Sequence, residues 1–262
     1  MNVRHRRPAT WFATAAVGVA LVTALAAPAS AAPAPGDFSG VPERTSLSYT
    51  SLSTGVHVGT ANENEARPGL STVKLYLADH VLRQGDSSAE DRDLAARMIQ
   101  VSDDWAASLL DSKYPGAIDA AAREYGLTAT SRGSFWGDSY TSTADTVRFL
   151  DTKKRTDPGS PVLTWMTTAL PVAADGTVQD WGTGRLAAAT GTKWGWAADD
   201  GSSVVASASI GDDFTVAANT YGGPATQSDD VLTALGAFDL ATPTIVTAPS
   251  VPSLLDAILG IR

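Results

Sequence analysis

Three regimes of apolar and polar residues follow one another along the chain. A largely apolar run covers about residues 11–25. From 45 to 60, Ser, Thr, Val and Tyr gather around Gly55, which predicts two short strands joined by a turn. Pro68 and Gly69 then interrupt the chain ahead of a helical stretch. Over 71–84 the apolar residues Val73, Leu75, Tyr76, Leu77, Val81 and Leu82 cover nearly the whole circumference of a helix, the mark of a buried helix rather than a surface one. Gly85 supplies its stop. A second helix opens at Ser87, where Ser87 and Glu90 have capping-box spacing, and carries Leu94, Met98 and Ile99 on one face. A third covers 115–125 and ends at Gly126; 143–150 and 161–170 predict two shorter ones.

The period then changes. Residues 192–196, 203–210 and 214–221 are strand-like and separated by turns at Asp200-Gly201 and Gly211-Asp212-Asp213, an antiparallel meander. A closing helix over 227–240 bears Leu232, Leu235 and Phe238. Two early strands, a helical middle and three late strands make an α+β plan, and the chain is long enough for one large core.

The ends change the picture from a cytoplasmic to an exported protein. Arg4, Arg6 and Arg7 precede the first apolar run, and Ala29-Ser30-Ala31 follows it, so residues 1–31 read as a secretory signal peptide. The run is shorter than the ~20 residues that span a bilayer, so no integral span is expected after processing. Residues 32–44, rich in Pro, Ala and Gly, form a flexible lead-in to a domain over 45–240; 241–262 is a Pro-containing tail ending in a short apolar segment. The chain has no cysteine, hence no disulfide and no lipidated cysteine. Its formal charge of -9 becomes -12 once the signal's three Arg are removed, which disfavours nucleic acid and anionic lipid as partners. Secretion to the cell envelope as a monomer is the expectation. Only His57 and His80 remain in the mature part, so neither a metal nor another cofactor is expected.

The candidate chemistry begins at Ser71-Thr72-Val73-Lys74, a Ser-x-x-Lys at the start of the buried helix. The i, i+3 spacing puts hydroxyl and ammonium on one face, and burial lowers a lysine's pKa enough for it to act as a base on the serine. The position at a helix start adds free backbone N–H groups where an oxyanion would develop. Alone the motif equally describes a capping serine with a lysine reaching outward. Its company raises it: Ser102-Asp103-Asp104 follows the second helix, and Lys193-Trp194-Gly195 lies on the first strand of the meander.

Ser-x-x-Lys, then Ser-Asp-Asn, then Lys-Thr-Gly or Lys-Ser-Gly on a strand is the signature that this chain resembles: that of the serine β-lactamase (class A) and penicillin-binding protein superfamily. Residues 98–103 and 140–150 also look like the family's run into its second motif and the helix after its omega loop. The resemblance covers roughly 46–240 and implies a β-lactamase/transpeptidase-like fold, an antiparallel sheet with a helical subdomain. Carried over by position, Ser71 is the nucleophile, Lys74 a general base, Ser102 a proton relay to the leaving group and Lys193 a positive charge beside Ser102. Asp104, Trp194, Gly195 and Trp196 fall at substrate-binding positions, with the backbone N–H groups of Ser71 and Trp196 as the implied oxyanion hole.

The departures from the pattern carry as much weight. Asp104 stands where the family has Asn, and Trp194 where it has a hydroxyl residue. Ser102 follows Ser71 by only 31 positions, which implies a reduced helical subdomain. The omega-loop region, about 128–140, holds no Glu, leaving Asp138 as the acid that stands in as a deacylation base.

Rival readings remain beside this one. Ser71 and His80 lie nine positions apart, ~13.5 Å along a helix axis, too far for a Ser-His pair. Trp136, Trp194 and Trp196 read equally as a stacking groove or as core. Three functions fit the motifs: acyl transfer from a β-lactam or D-alanyl peptide, a weakened relative binding cell-wall peptide or glycan without turnover, and an esterase or amidase on another envelope substrate.

Overall fold

The computed structural model describes residues 37–199 and 201–236. The signal peptide, the first part of the lead-in, Asp200, Phe238 and the tail expected from the sequence lie outside the described residues. In chain order the elements are β1 (Thr45–Ser51), β2 (His57–Gly59), β3 (Arg67–Pro68), α1 (Lys74–Gln84), α2 (Ala89–Gln100), α3 (Asp104–Lys113), α4 (Ala117–Tyr125), β4 (Tyr140–Thr141), α5 (Thr143–Thr156), α6 (Pro161–Thr167), β5 (Gly191–Trp196), β6 (Val204–Ile210), β7 (Phe214–Tyr221) and α7 (Pro224–Leu235). None of the described helices is long and apolar enough to cross a membrane.

The five main strands form one antiparallel sheet in the order β2-β1-β7-β6-β5. Alternation along the strands divides the apolar residues between its two faces. Leu47, Phe214, Val216 and Ala218 join Val231 and Leu235 of α7 in one cluster, whereas Ala208, Ile210 and Ala217 belong to the larger core with the helices. Here α1 is the central helix, with Leu75, Tyr76, Leu77 and Ala78 fully buried, as its apolar circumference predicts. Its buried Asp79 pairs with two cations, Lys153 of α5 at 2.8 Å and Arg83 at 3.0 Å, and accepts a hydrogen bond from the Tyr125 hydroxyl at 2.8 Å.

Several boundaries depart from the sequence expectation. Ser88, not Ser87, caps α2, accepting from the Asp91 N–H, and Ser87 takes a left-handed φ of 59°. This register lets Asp91 reach Lys113 and Tyr114 while Leu94, Met98 and Ile99 stay inward. The sequence pattern predicts no helix at α3: Leu110 is the one large apolar residue on its inward face, beside Ala106 and Ala107, while Trp105 and Leu109 face outward, so the helical period is masked. Gly85 ends α1 in an extended rather than a left-handed conformation; a Cβ there would lie 2.4 Å from the Val81 carbonyl oxygen. α5 runs on to Thr156, its last turn holding Lys153, Lys154 and Arg155 against the negative end of the helix dipole. The β3–β4 pair, too short to show a period, ties Arg67 and Pro68 to Thr141 and Tyr140 just ahead of Ser71.

Candidate active site

Ser71 sits in a 3-10 turn, Leu70–Val73, that leads directly into α1. The turn is held by the Thr72 amide and hydroxyl, both donating to the Gly69 carbonyl, at 3.1 and 2.5 Å. The Gly69 amide in turn donates to Ser139 O at 2.8 Å. Leu70, just before the serine, has φ 53°, a left-handed conformation that costs a non-glycine residue of order 1 kcal/mol. Ser102, between α2 and α3, has φ 54°. Two strained non-glycine residues therefore flank the same small volume.

β5 closes on this turn through Gly195. A Cβ at Gly195 would stand 2.8 Å from the Ser71 backbone nitrogen, so only glycine lets the strand come so near. β5 is an edge strand, and the Ala197 amide donates to Val204 O at 3.1 Å. In an antiparallel ladder the bonded pairs alternate, which leaves the Trp196 N–H pointing off the free edge, one residue along from the glycine that touches Ser71.

Three predicted side chains meet at Ser102. Lys74 Nζ donates to the Ser102 carbonyl oxygen at 2.7 Å and lies 3.4 Å from its Oγ; Lys193 Nζ donates to that Oγ at 2.8 Å and to Trp194 O at 2.9 Å. Lys74 Nζ also reaches Asp104 Oδ1 at 2.5 Å. Both lysines are fully buried, whereas the Asp104 side chain is 72% exposed. Asp103 caps α3 through the Ala106 amide and pairs with Arg97, which fixes Asp104 as the first residue of that helix.

Burial holds the Lys74 ammonium below its ordinary pKa, opposed chiefly by the Asp104 carboxylate. Lys193 is held well below its ordinary value, by burial first and by the neighbouring Lys74 charge second. The Ser71 hydroxyl, 6% exposed, is not hydrogen-bonded to either Lys74 or Ser102, because the lysine is drawn instead toward Asp104 and the Ser102 carbonyl.

The remaining candidates sit elsewhere. Trp194 and Trp196 alternate with Lys193 and Gly195 and so take the other face of β5. There both pack edge-on against Trp181, at 6.3 and 5.7 Å between ring centroids, and the Trp194 indole N–H donates to Trp181 O. Trp196 donates to Asp175 Oδ2 at 3.2 Å. Asp138 is exposed, and its carboxylate accepts from Ser134 Oγ rather than from any of the residues around Ser102. His57 bonds Thr50 and Glu63, away from the serine. No cluster of metal-ligating side chains occurs among the described residues.

The residue whose place the sequence left open is Trp136. Its ring centroid lies 4.4 Å from Lys74 Nζ, and the residue is 7% exposed. It belongs to a short 3-10 turn, Trp136–Asp138, in the region expected to hold the omega loop. Trp136 belongs to the larger core cluster, as the core reading has it, but no spacing signal marks a tryptophan as the neighbour of a particular lysine.

No protein-family model and no curated protein matches the chain. Solved structures do. The β-lactamase from Streptomyces albus G superposes with a TM-score of 0.61 at 15% identity, over 75% of this chain and 96% of that one. A variant of the last common ancestor of Gram-negative bacteria β-lactamase class A gives 0.60 at 18% identity, over 76% and 96%. The class A β-lactamase from Mycobacterium abscessus gives 0.59 at 16%, over 76% and 95%. The chain thus has the fold of the class A serine β-lactamases, as its motifs imply.

Proposed function

We propose that this chain is an exported serine hydrolase of the β-lactamase/penicillin-binding type, which forms an acyl-enzyme on Ser71 with a β-lactam or a D-alanyl peptide. The observation that carries this reading is the meeting of Lys74, Ser102 and Lys193, from three distant stretches of chain, beside a serine turn that Gly195 touches.

In this mechanism neutral Lys74 removes the Ser71 hydroxyl proton as Oγ attacks the acyl carbonyl. The oxyanion falls between the Ser71 and Trp196 N–H groups, whose hydrogen bonds strengthen as charge develops. The carbon–nitrogen bond then breaks. Ser102 Oγ gives its proton to the departing nitrogen and recovers one from the Lys74 ammonium, while Lys193 steadies the hydroxyl. Hydrolysis of the ester needs a base for water, and the acid assigned to that task from the sequence, Asp138, bonds Ser134 instead. Slow deacylation follows.

A second reading draws support from Trp194. Its indole packs on Trp181, so this strand position brings no hydroxyl toward a substrate carboxylate. That favours an esterase or amidase on a different envelope substrate, or a binder of cell-wall peptide or glycan. Labelling with a fluorescent penicillin and with a fluorogenic activated ester, in the wild type and in Ser71→Ala, distinguishes these. Penicillin labelling that Ser71→Ala abolishes supports the first reading, ester turnover alone supports the esterase, and no reaction with either leaves the binder.

A further inference from the structure

The Lys74 ammonium is enclosed by groups from separate parts of the fold. Ser102 O and Asp104 Oδ1 accept from it at 2.7 and 2.5 Å, and the face of Trp136 covers it at 4.4 Å. The ring is held in place by more than packing. Its indole N–H donates to Ser108 Oγ of α3 at 3.1 Å, and the Trp136 backbone N–H donates to Asp111 Oδ2 at 3.1 Å. Asp111 is itself gripped by two nitrogens of Arg132, each at 2.7 Å. The turn that carries Trp136 packs against the turn that carries Ser71. An aromatic face attracts a cation through its quadrupole, which an aliphatic side chain of similar size does not.

We propose that Trp136 is a positioning residue: its ring face holds the Lys74 ammonium in register with Ser102 and Asp104 and favours the charged state of the resting site. Other charged groups bear on the same lysine. Asp104 and Asp103 at the start of α3 and Asp175 in the turn beside Trp196 favour the ammonium, and Lys193 of β5 is the second lysine on Ser102. Trp136 acts in the direction of the carboxylates but offers no site for a proton. This deepens the acyl-transfer reading, and rests on it only for the kinetic consequence.

The test is a titration of Lys74 by NMR of the intact folded protein labelled at the lysine ε-carbon, with Lys74→Met as the assignment control. Trp136→Leu keeps an apolar side chain but removes the aromatic face, and is expected to lower the Lys74 midpoint by about one pH unit. Trp136→Phe keeps a ring and stays close to wild type. Ser108→Ala, which removes the anchor and leaves the ring, gives a smaller fall. If Trp136→Leu matches wild type or moves the midpoint upward, the ring is a plug rather than an electrostatic partner, and the proposal is overturned. Should Trp136→Leu fail to fold, Ser108→Ala decides by the same titration, an unchanged midpoint overturning it. Acylation of Ser71 by an activated ester supplies the kinetic readout: its ascending pH limb moves to lower pH together with the midpoint. A shifted midpoint in a protein that never acylates sinks the hydrolase reading and leaves the positioning role standing. Acylation with no shift in either readout sinks the positioning role alone.

Discussion

In the proposed mechanism, Asp104 changes the work that Lys74 must do. A carboxylate 2.5 Å from the ammonium stabilises the charged lysine, whereas a base for Ser71 must be neutral. Asp104→Asn removes that stabilisation and leaves the burial that opposes the charge. Lys74 then loses its proton more readily, so the ascending limb of the acylation rate shifts to lower pH, and acylation near neutrality is faster than in wild type. A pH series of single-turnover rates checks this; a limb that moves upward contradicts it. Asp138→Asn, by contrast, is expected to leave both the burst and the slow release unchanged, since its carboxylate is engaged with Ser134. General-base catalysis contributes ~10² to 10⁴-fold, so its lack turns rapid turnover into slow release. Stopped-flow kinetics that show fast turnover lost in Asp138→Asn would assign Asp138 the base's role after all.

Among the elements, β5 does most to assemble the site, because one short strand delivers Lys193 to Ser102, Gly195 to the serine turn and the Trp196 amide to the sheet edge. Gly195→Ala tests this. The added methyl would sit 2.8 Å from the Ser71 nitrogen and 2.9 Å from the Leu70 Cβ, and neither group belongs to a flexible side chain end that can yield. Displacement of strand from turn approaching ~1 Å is expected to cost up to ~10²-fold in acylation. The stability loss should be only ~1 to 3 kcal/mol, as for other overpacked sites. Comparable losses of labelling and of thermal midpoint in a surface variant would remove the special role of this approach. β5, β6 and β7 were legible because their β-rich runs are bounded by glycine and aspartate turns, and α1 because apolar residues surround it. α3 was not, since its buried face holds only one large apolar residue, Leu110, beside two alanines, while Trp105 and Leu109 look outward.

For the molecule as a whole, two lysines buried together give stability a characteristic pH dependence. Both are held below their unfolded pKa, near 10.5. Between the folded and unfolded values the unfolded chain binds protons that the folded chain does not, so this contribution to stability increases with pH across that window. Lys193→Met removes the larger share. Urea midpoints measured from about pH 7 to pH 9 should therefore climb more steeply in wild type than in Lys193→Met, and identical slopes would contradict a buried, displaced Lys193.

The architecture and the three motif positions could be read from one sequence because each motif falls at a break in periodicity: a helix start, a helix junction and a strand. What escaped was the side-chain partnership that depends on packing between non-adjacent segments. The sequence ranks Asp138 as the available acid, yet Asp104 is the acid beside Lys74 and Trp136 fills the space next to it. Trp194 and Trp196 stand at substrate positions by sequence, but the pleat turns both indoles onto Trp181.

On the proposed mechanism Ser71 becomes covalently acylated and stays so. Intact-mass spectrometry of the mature protein, sampled over time after mixing with a penicillin or separately with an activated ester, measures this directly. One adduct per chain is expected, located on Ser71 by peptide mapping, absent in Ser71→Ala and persisting for minutes or longer. An unmodified mass under both reagents, or an adduct that survives in Ser71→Ala, contradicts it.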